Sequence, residues 1–172
     1  MSSLLEDITH EFRRHKTMAD KAMSGLDDDA FFKRPGKAVN PIALIVKHLA
    51  GNLASRWKDF LTTDGEKPSR NRDGEFELTP QDTRAHLMAE WEKGWWILLE
   101  TLSQLTPADL EKSITIRKEP LTVTQALVRG SCHAAYHVGQ ILYVCRMLNP
   151  GGEWLTIAPG KSKGFPGAYK KS

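Results

Sequence analysis

Apolar residues return every three to four positions through four long stretches of this chain. A period of that kind can be buried only by packing helices side by side. In the first stretch Leu5, Ile8, Phe12, His15, Ala19 and Ala22 follow a 3-4-3-4-3 spacing, the seam of a packed helix. Leu26 to Phe32, with its run of aspartates, reads as a short helical coda, and Pro35-Gly36 breaks the chain after it. Asn40-Pro41 opens the second helix as N-cap and first helical residue, with Ile42, Ile45, Val46, Leu49, Leu53, Trp57 and Phe60 on its apolar face. Residues 63–79 are too rich in charge and chain breakers for a core element and read as a polar connection. Thr79-Pro80, with Asp82 in the first turn, opens the third helix, which runs to about Leu105 and shows Leu87, Trp91, Trp95, Leu98 and Leu102 on one face. Ser113 to Arg117 alternates as a strand does and pairs with Leu121 to Val123 around a turn at 118–120. The capping box of Thr122 and Gln125 starts the last helix, which ends near Leu148, before Asn149-Pro150-Gly151-Gly152. The expected fold is all-α. It is an up-down four-helix bundle over 1–149, with a short β-ribbon before the last helix. An irregular tail over 150–172, carrying Trp154, Leu155, Ile157, Phe165 and Tyr169, packs on the bundle or on a dimer partner.

A length of 172 residues suits one domain. The formal charge of +3 resides wholly in the tail, where Lys161, Lys163, Lys170 and Lys171 face Glu153 alone, so the first 149 residues sum to zero. No broad electropositive body exists of the sort that neutralises duplex phosphates, and no nucleic-acid partner is expected. Cys132 and Cys145 are 13 residues apart. On one helix that separation is about 20 Å of rise, too far for a disulfide. Free, buried thiols and the absence of an apolar leader or spanning segment make a cytoplasmic protein without a membrane partner the expectation.

Of the six histidines, His133 and His137 form an i,i+4 pair in the last helix. That spacing puts two imidazoles on one face about 6 Å apart, suited to adjacent ligand positions on one metal. Gly130, three residues earlier, allows a neighbouring helix or ligand to come close. A third ligand must come from elsewhere, and His15 and His48 both lie in otherwise apolar segments. His15 is well centred on its seam, whereas His48 sits roughly 130° from the middle of its helix's apolar face, beside Leu44, Asn52 and Ser55. Pattern does not choose between them. His10, beside Glu11 and off the seam, and His86, which follows Arg84 in a charged turn, read as solvated. Ala134 stands where a zinc protease would carry its glutamate, and phosphate-binding glycine loops, Cys-x-x-Cys pairs and nucleophile elbows are absent. Cys132, adjoining His133 but turned about 100° away, reads as an inert buried thiol.

The chain resembles the DinB/YfiT-like superfamily, and within it the DUF1572 branch. The matching residues are Ile45-Val-Lys-His48-Leu-Ala-Gly-Asn52, Trp57 to Leu61, Thr62-Thr-Asp-Gly-Glu-Lys-Pro and Arg70-Asn-Arg-Asp73-Gly-Glu-Phe76. Further along come His133-Ala-Ala-Tyr-His137-Val-Gly-Gln140-Ile and Trp154-Leu-Thr-Ile-Ala-Pro-Gly160. The resemblance implies a metal site of His48, His133 and His137, a divalent cation, zinc or nickel, and a homodimer. It also implies chemistry on a small-molecule substrate, since characterised relatives include thiol S-transferases and a thiol-dependent isomerase that use low-molecular-weight thiols. A three-histidine set leaves coordination positions open, as catalytic sites do. The expected function is therefore a metal-dependent enzyme, a thiol S-transferase or hydrolase. A metal-binding, stress-associated dimer without a reaction and a structural bundle with hydrogen-bonded histidines are the alternatives. Asn52, Tyr136 and Gln140 are placed to orient a ligand, and Arg70, Arg72 and Lys161 to hold an anionic group on it.

Overall fold

A computed structural model describes residues 3–163. The expectations for Phe165, Tyr169, Lys170 and Lys171 lie outside them. Within this range the protein is mostly helical, with five α-helices and one two-stranded antiparallel sheet. Helix α1 (Leu4–Ser24) starts at a capping box in which Ser3 and Glu6 satisfy each other's backbone N–H groups. Helix α2 (Asp28–Phe32) is capped by the Asp27 carboxylate, which accepts from the Ala30 N–H at 2.8 Å. Helix α3 is Ile42–Trp57, α4 is Arg84–Gln104 and α5 is Val123–Leu148, the last opened by the expected Thr122–Gln125 box. The principal helix pairings are α3 with α4 and α1 with α5, and α3 also meets α5.

One aromatic cluster joins three of these helices. Phe12 of α1 meets Trp57 of α3 edge-on at 5.9 Å and Trp95 of α4 at 6.4 Å, and all three are fully buried. Edge-to-face geometry adds roughly 0.5–1.5 kcal/mol per pair to what burial alone contributes. Two glycines set how closely the helices approach. A Cβ at Gly94 would lie 2.9 Å from the Ala50 carbonyl oxygen, and one at Gly130 would lie 2.6 Å from Trp57 Cζ2. The close neighbour that Gly130 admits is thus the indole of α3. On α1 the buried seam is Leu5, Ile8, Phe12, Ala19 and Met23, with Met23 in place of Ala22 at its end.

Three boundaries differ from the sequence pattern. Pro41, expected inside the second helix, occupies its N-cap. Asp82 does not sit in the first turn of α4. Its carboxylate accepts from the backbone N–H and hydroxyl of Thr79 and from Lys47 Nζ, which closes a separate turn, and Thr83 caps the helix instead. The ribbon pairs β1 (Ser113–Ile116) with β2 (Glu119–Thr122), so the turn is Arg117-Lys118. Both turn residues have positive φ, 54° and 64°, the geometry of a type I′ hairpin. The Asp64 carboxylate pins it by accepting from both turn N–H groups, at 2.9 and 2.7 Å.

That contact belongs to a wider fastening of the 63–79 connection over one side of α3. Ser55 of α3 donates its hydroxyl to the Gly65 carbonyl and accepts from the Lys67 N–H. A 3-10 turn at Asp73–Phe76 then lies against the same helix. At the far end the tail turns back on α5. Arg146 donates to the carbonyls of Pro150, Gly152 and Glu153 and lies 4.4 Å over the Trp154 ring. Among the described residues no helix is long and apolar enough to cross a membrane.

Candidate metal centre

Helix α3 delivers His48 and α5 delivers His133 and His137 to one point, with one ring nitrogen of each within 4.8 Å of the others. His48 is 5% exposed although it lies off the main apolar face of its helix. The 63–79 connection covers that side at His48 and Ser55, Leu44 on the same stripe is buried too, and Asn52 stays half-open. His15 takes no part. It lies along α1 beside Glu11, at 3.8 Å, and its Nδ1 is buried without a hydrogen-bond partner. His86 is exposed as expected, whereas His10 is half-buried rather than solvated.

The residue that organises the site is one the periodic pattern passes over. Glu75, in the 3-10 turn, is 7% exposed, and its carboxylate accepts from His48 Nδ1 at 2.8 Å. Arg70 grips the same carboxylate with two donors, Nε at 2.7 Å and Nη2 at 2.8 Å. Burial pushes the Glu75 carboxyl up, but the hydrogen bonds from His48 and Arg70 outweigh it and hold the group below the usual carboxylate range. An ionised Glu75 accepts the hydrogen bond of His48 Nδ1–H, the tautomer that leaves the Nε2 lone pair for the site. Phe76 stacks on the His48 ring at 4.7 Å and limits its rotation. Gly51, one turn after His48, makes the arrangement fit, since a Cβ there would collide with the Glu75 carboxylate. This glycine, inside an otherwise apolar helix and one turn from a histidine, is the sequence signal for a close approach.

His137 is oriented from its own helix, with Nδ1 at 2.9 Å from Gln140 Oε1. Gln140 therefore touches the ring rather than reaching past it toward a ligand. The exposed Tyr136 stacks near both histidines of α5, 5.3 Å from His133 and 5.0 Å from His137. Burial, and after it the neighbouring His137 and His48, press His133 down to about 3. Burial likewise lowers His137. Both imidazoles are neutral at physiological pH, the state in which they donate a lone pair to a cation.

The donor set fits a divalent cation. Three imidazoles converge, two of them braced at the far nitrogen, and among the described residues no fourth His, Cys, Asp or Glu joins the group. Glu75 is occupied on the outer side of His48. Cys132 is exposed rather than buried, because it lies on the outward stripe of α5 with Val128 and Tyr136. Cys145 is buried as expected, and burial pushes its thiol up to about 11.

Arg70 was expected to meet a ligand's anionic group, but it is spent on Glu75 and Glu66, with a side chain only 4% exposed. Arg72 does border the cleft beside the histidines, and Asn52 lines it too, while the exposed Lys161 does not. The family described as protein of unknown function (DUF1572) matches residues 1–162, which takes in every element described here. The chain belongs to the DUF1572 family. No curated protein matches it.

Proposed function

We propose that this DUF1572 protein binds one divalent cation, zinc or nickel, through His48, His133 and His137. In this reading it is a metal-dependent enzyme of the DinB/YfiT-like superfamily, built as an up-down four-helix bundle, with thiol S-transfer the specific reaction and hydrolysis the broader class. The observation that carries the proposal is the convergence of three imidazoles from two helices, with His48 held by a buried Glu75–Arg70 pair that packing alone does not require. A structural zinc site is closed by four protein ligands, whereas three histidines leave room for a small molecule. When bound, the cation supplies a Lewis acid that lowers the pKa of a thiol or water it holds. The protein's own part is to fix the ligand geometry. Glu75 holds the tautomer of His48, Gln140 orients His137, and burial keeps His133 and His137 unprotonated.

The partner in this proposal is a second copy of the chain in the cytoplasm. Val128, Tyr136, Tyr143 and Met147 give α5 an outward apolar stripe, with Tyr143 70% exposed, that such a copy would cover. Tag-free protein analysed by elemental mass spectrometry should carry about one zinc or nickel per chain and lose it in His133→Ala. Thiol-dependent turnover should vanish on chelation and return with a single divalent ion. Wild-type protein that takes up no cation at neutral pH refutes the proposal.

A further inference from the structure

The cleft that opens onto His48 and His133 has a volume of about 240 Å³ and is lined by five arginines: Arg56, Arg70, Arg72, Arg117 and Arg129. They come from α3, the 63–79 connection, the ribbon turn and α5, so four separate parts of the fold bring positive charge to one place. No carboxylate stands among its described lining residues, and Glu75, gripped by Arg70, faces a neighbouring cleft. Outside the lining, Glu66 is shared by three of the arginines. It lies 3.9 Å from Arg56, 3.4 Å from Arg70 and 3.2 Å from Arg117. Arg72 meets the almost fully exposed Asp73, and Arg129 has no ion-pair partner among the described residues. Glu66 and Glu75 offset two of the five charges, leaving a positive excess in a confined space.

Such crowding disfavours the empty cleft. Arg56 has a side chain only 13% exposed. Burial weakens the hold of its guanidinium on a proton, and the charges of Arg129, Arg70 and Arg117 weaken it further. An anion entering the cleft relieves that repulsion. Guanidinium groups, with their planar pairs of donors, suit carboxylate and phosphate oxygens better than point-like ammonium groups do. The cleft is smaller than the roughly 300–1,000 Å³ of a drug-sized site, and its arginines gather around one small opening instead of spanning a broad surface as a nucleic-acid footprint would.

We propose that this cleft is an anion subsite, and that the substrate is a small molecule whose carboxylate or phosphate group is held by Arg56, Arg117 and Arg129. Its reacting end then points at His48 and His133. The direction of that reacting end rests on the metal reading above, whereas the anion site does not. Arg72, stacked over Phe76 at 5.5 Å, closes the rim and ties the bound anion to the residue that packs on His48.

The test is calorimetric titration of the full chain, metal-free and zinc-loaded, with inorganic phosphate and with succinate as separate probes. At least one probe should bind saturably, and which one does distinguishes a phosphate from a carboxylate ligand. Arg129→Gln, at an exposed position that leaves folding intact, should weaken binding about tenfold, the worth of one charge-assisted hydrogen bond. Lys93→Gln removes the same charge from a different cleft and should change binding less than about twofold. Anion binding that survives His133→Ala while the cation is lost would support a subsite independent of the metal. No saturable binding of either probe up to about 10 mM, or wild-type affinity in both Arg129→Gln and Arg72→Gln, overturns the subsite. A cation bound without an anion refutes this inference alone, and an anion bound without a cation refutes the metal reading alone.

Discussion

Replacing Glu75 by glutamine keeps the shape of the side chain and removes its charge, which isolates what the carboxylate does for His48. In the native protein the carboxylate accepts three hydrogen bonds, one from His48 Nδ1 and two from Arg70, at 2.7–2.8 Å. An amide offers one oxygen and turns an NH₂ group toward whichever partner is left, so at least one charge-assisted bond is lost, about 1.5–3 kcal/mol. If His48 loses it, the ring is no longer held in the ligating tautomer, and cation affinity should fall about 10–100-fold. If the amide oxygen stays on the His48 side, Arg70, only 4% exposed, loses its Nε bond and keeps Nη2 and its 3.4 Å contact with Glu66. Removing one partner of a buried pair costs about 3–5 kcal/mol, and the surviving Glu66 contact argues for the lower end. For a domain of this length, a loss of about 3 kcal/mol lowers the melting temperature by roughly 6–12 °C. Zinc titration against a chromophoric chelator reads the first quantity, and thermal melting of the metal-free variant reads the second. Gly51→Ala provides the steric counterpart. It adds a methyl where the Glu75 carboxylate sits and should weaken zinc binding without altering any charge. Zinc affinity within about twofold of wild type in both variants would refute the assignment of Glu75 as the residue that positions His48.

Other outcomes follow from the same geometry. Gly130→Ala puts a Cβ 2.6 Å from Trp57 and should destabilise the fold by about 1–3 kcal/mol in urea unfolding, while Gly139→Ala, in open space, should not. His133 titrates near 3 in the folded protein against an ordinary value of 6.5, so between those values the unfolded chain binds a proton that the folded chain does not. Stability of the metal-free protein should therefore fall as pH drops from 6.5 toward 3, with a shallower slope over pH 6.5–5 in His133→Ala. Tyr143→Glu should convert a dimer to a monomer in light scattering if a second copy covers the α5 stripe, and an unchanged mass refutes that face.

The helices and the α5 histidines could be read from the sequence because both depend on spacing along one element. His133 and His137 share a face whatever surrounds them. His48 could not be read in this way. Its burial comes from a non-periodic segment folded over a second side of α3, and a pattern that counts one apolar face per helix scores it as marginal. The resemblance implied His48 over His15, and the structure brings His48 to the other two. Glu75 was hidden for a related reason. It lies in a stretch whose charges and glycines announce a solvated loop, and its burial depends on Arg70 five residues back and on Gly51 in another helix. The same blindness turned Arg70 from an expected ligand contact into a support for Glu75. Asp82 misled because a carboxylate after Thr-Pro serves equally in a helical first turn or in a turn of its own. Cys132 misled because the outward stripe of α5 is as apolar as many buried ones.

The connection over 63–79 has almost no regular structure, yet it is tied down at Ser55, at the ribbon turn through Asp64, and at His48 through Glu75. Backbone donors, chiefly those of Glu66 and Lys118, hold Asp64 at about 2, so the middle tie keeps its charge at neutral pH. One strap thus sets two properties together, the hold on an imidazole at one end and the placement of Arg117 at the other. A change in chain length between Ser55 and Phe76 retunes the centre and the charge of the cleft in a single step. The two helices that supply the imidazoles need not move for that to happen, so the adaptable part of this protein is the part that looks least like structure.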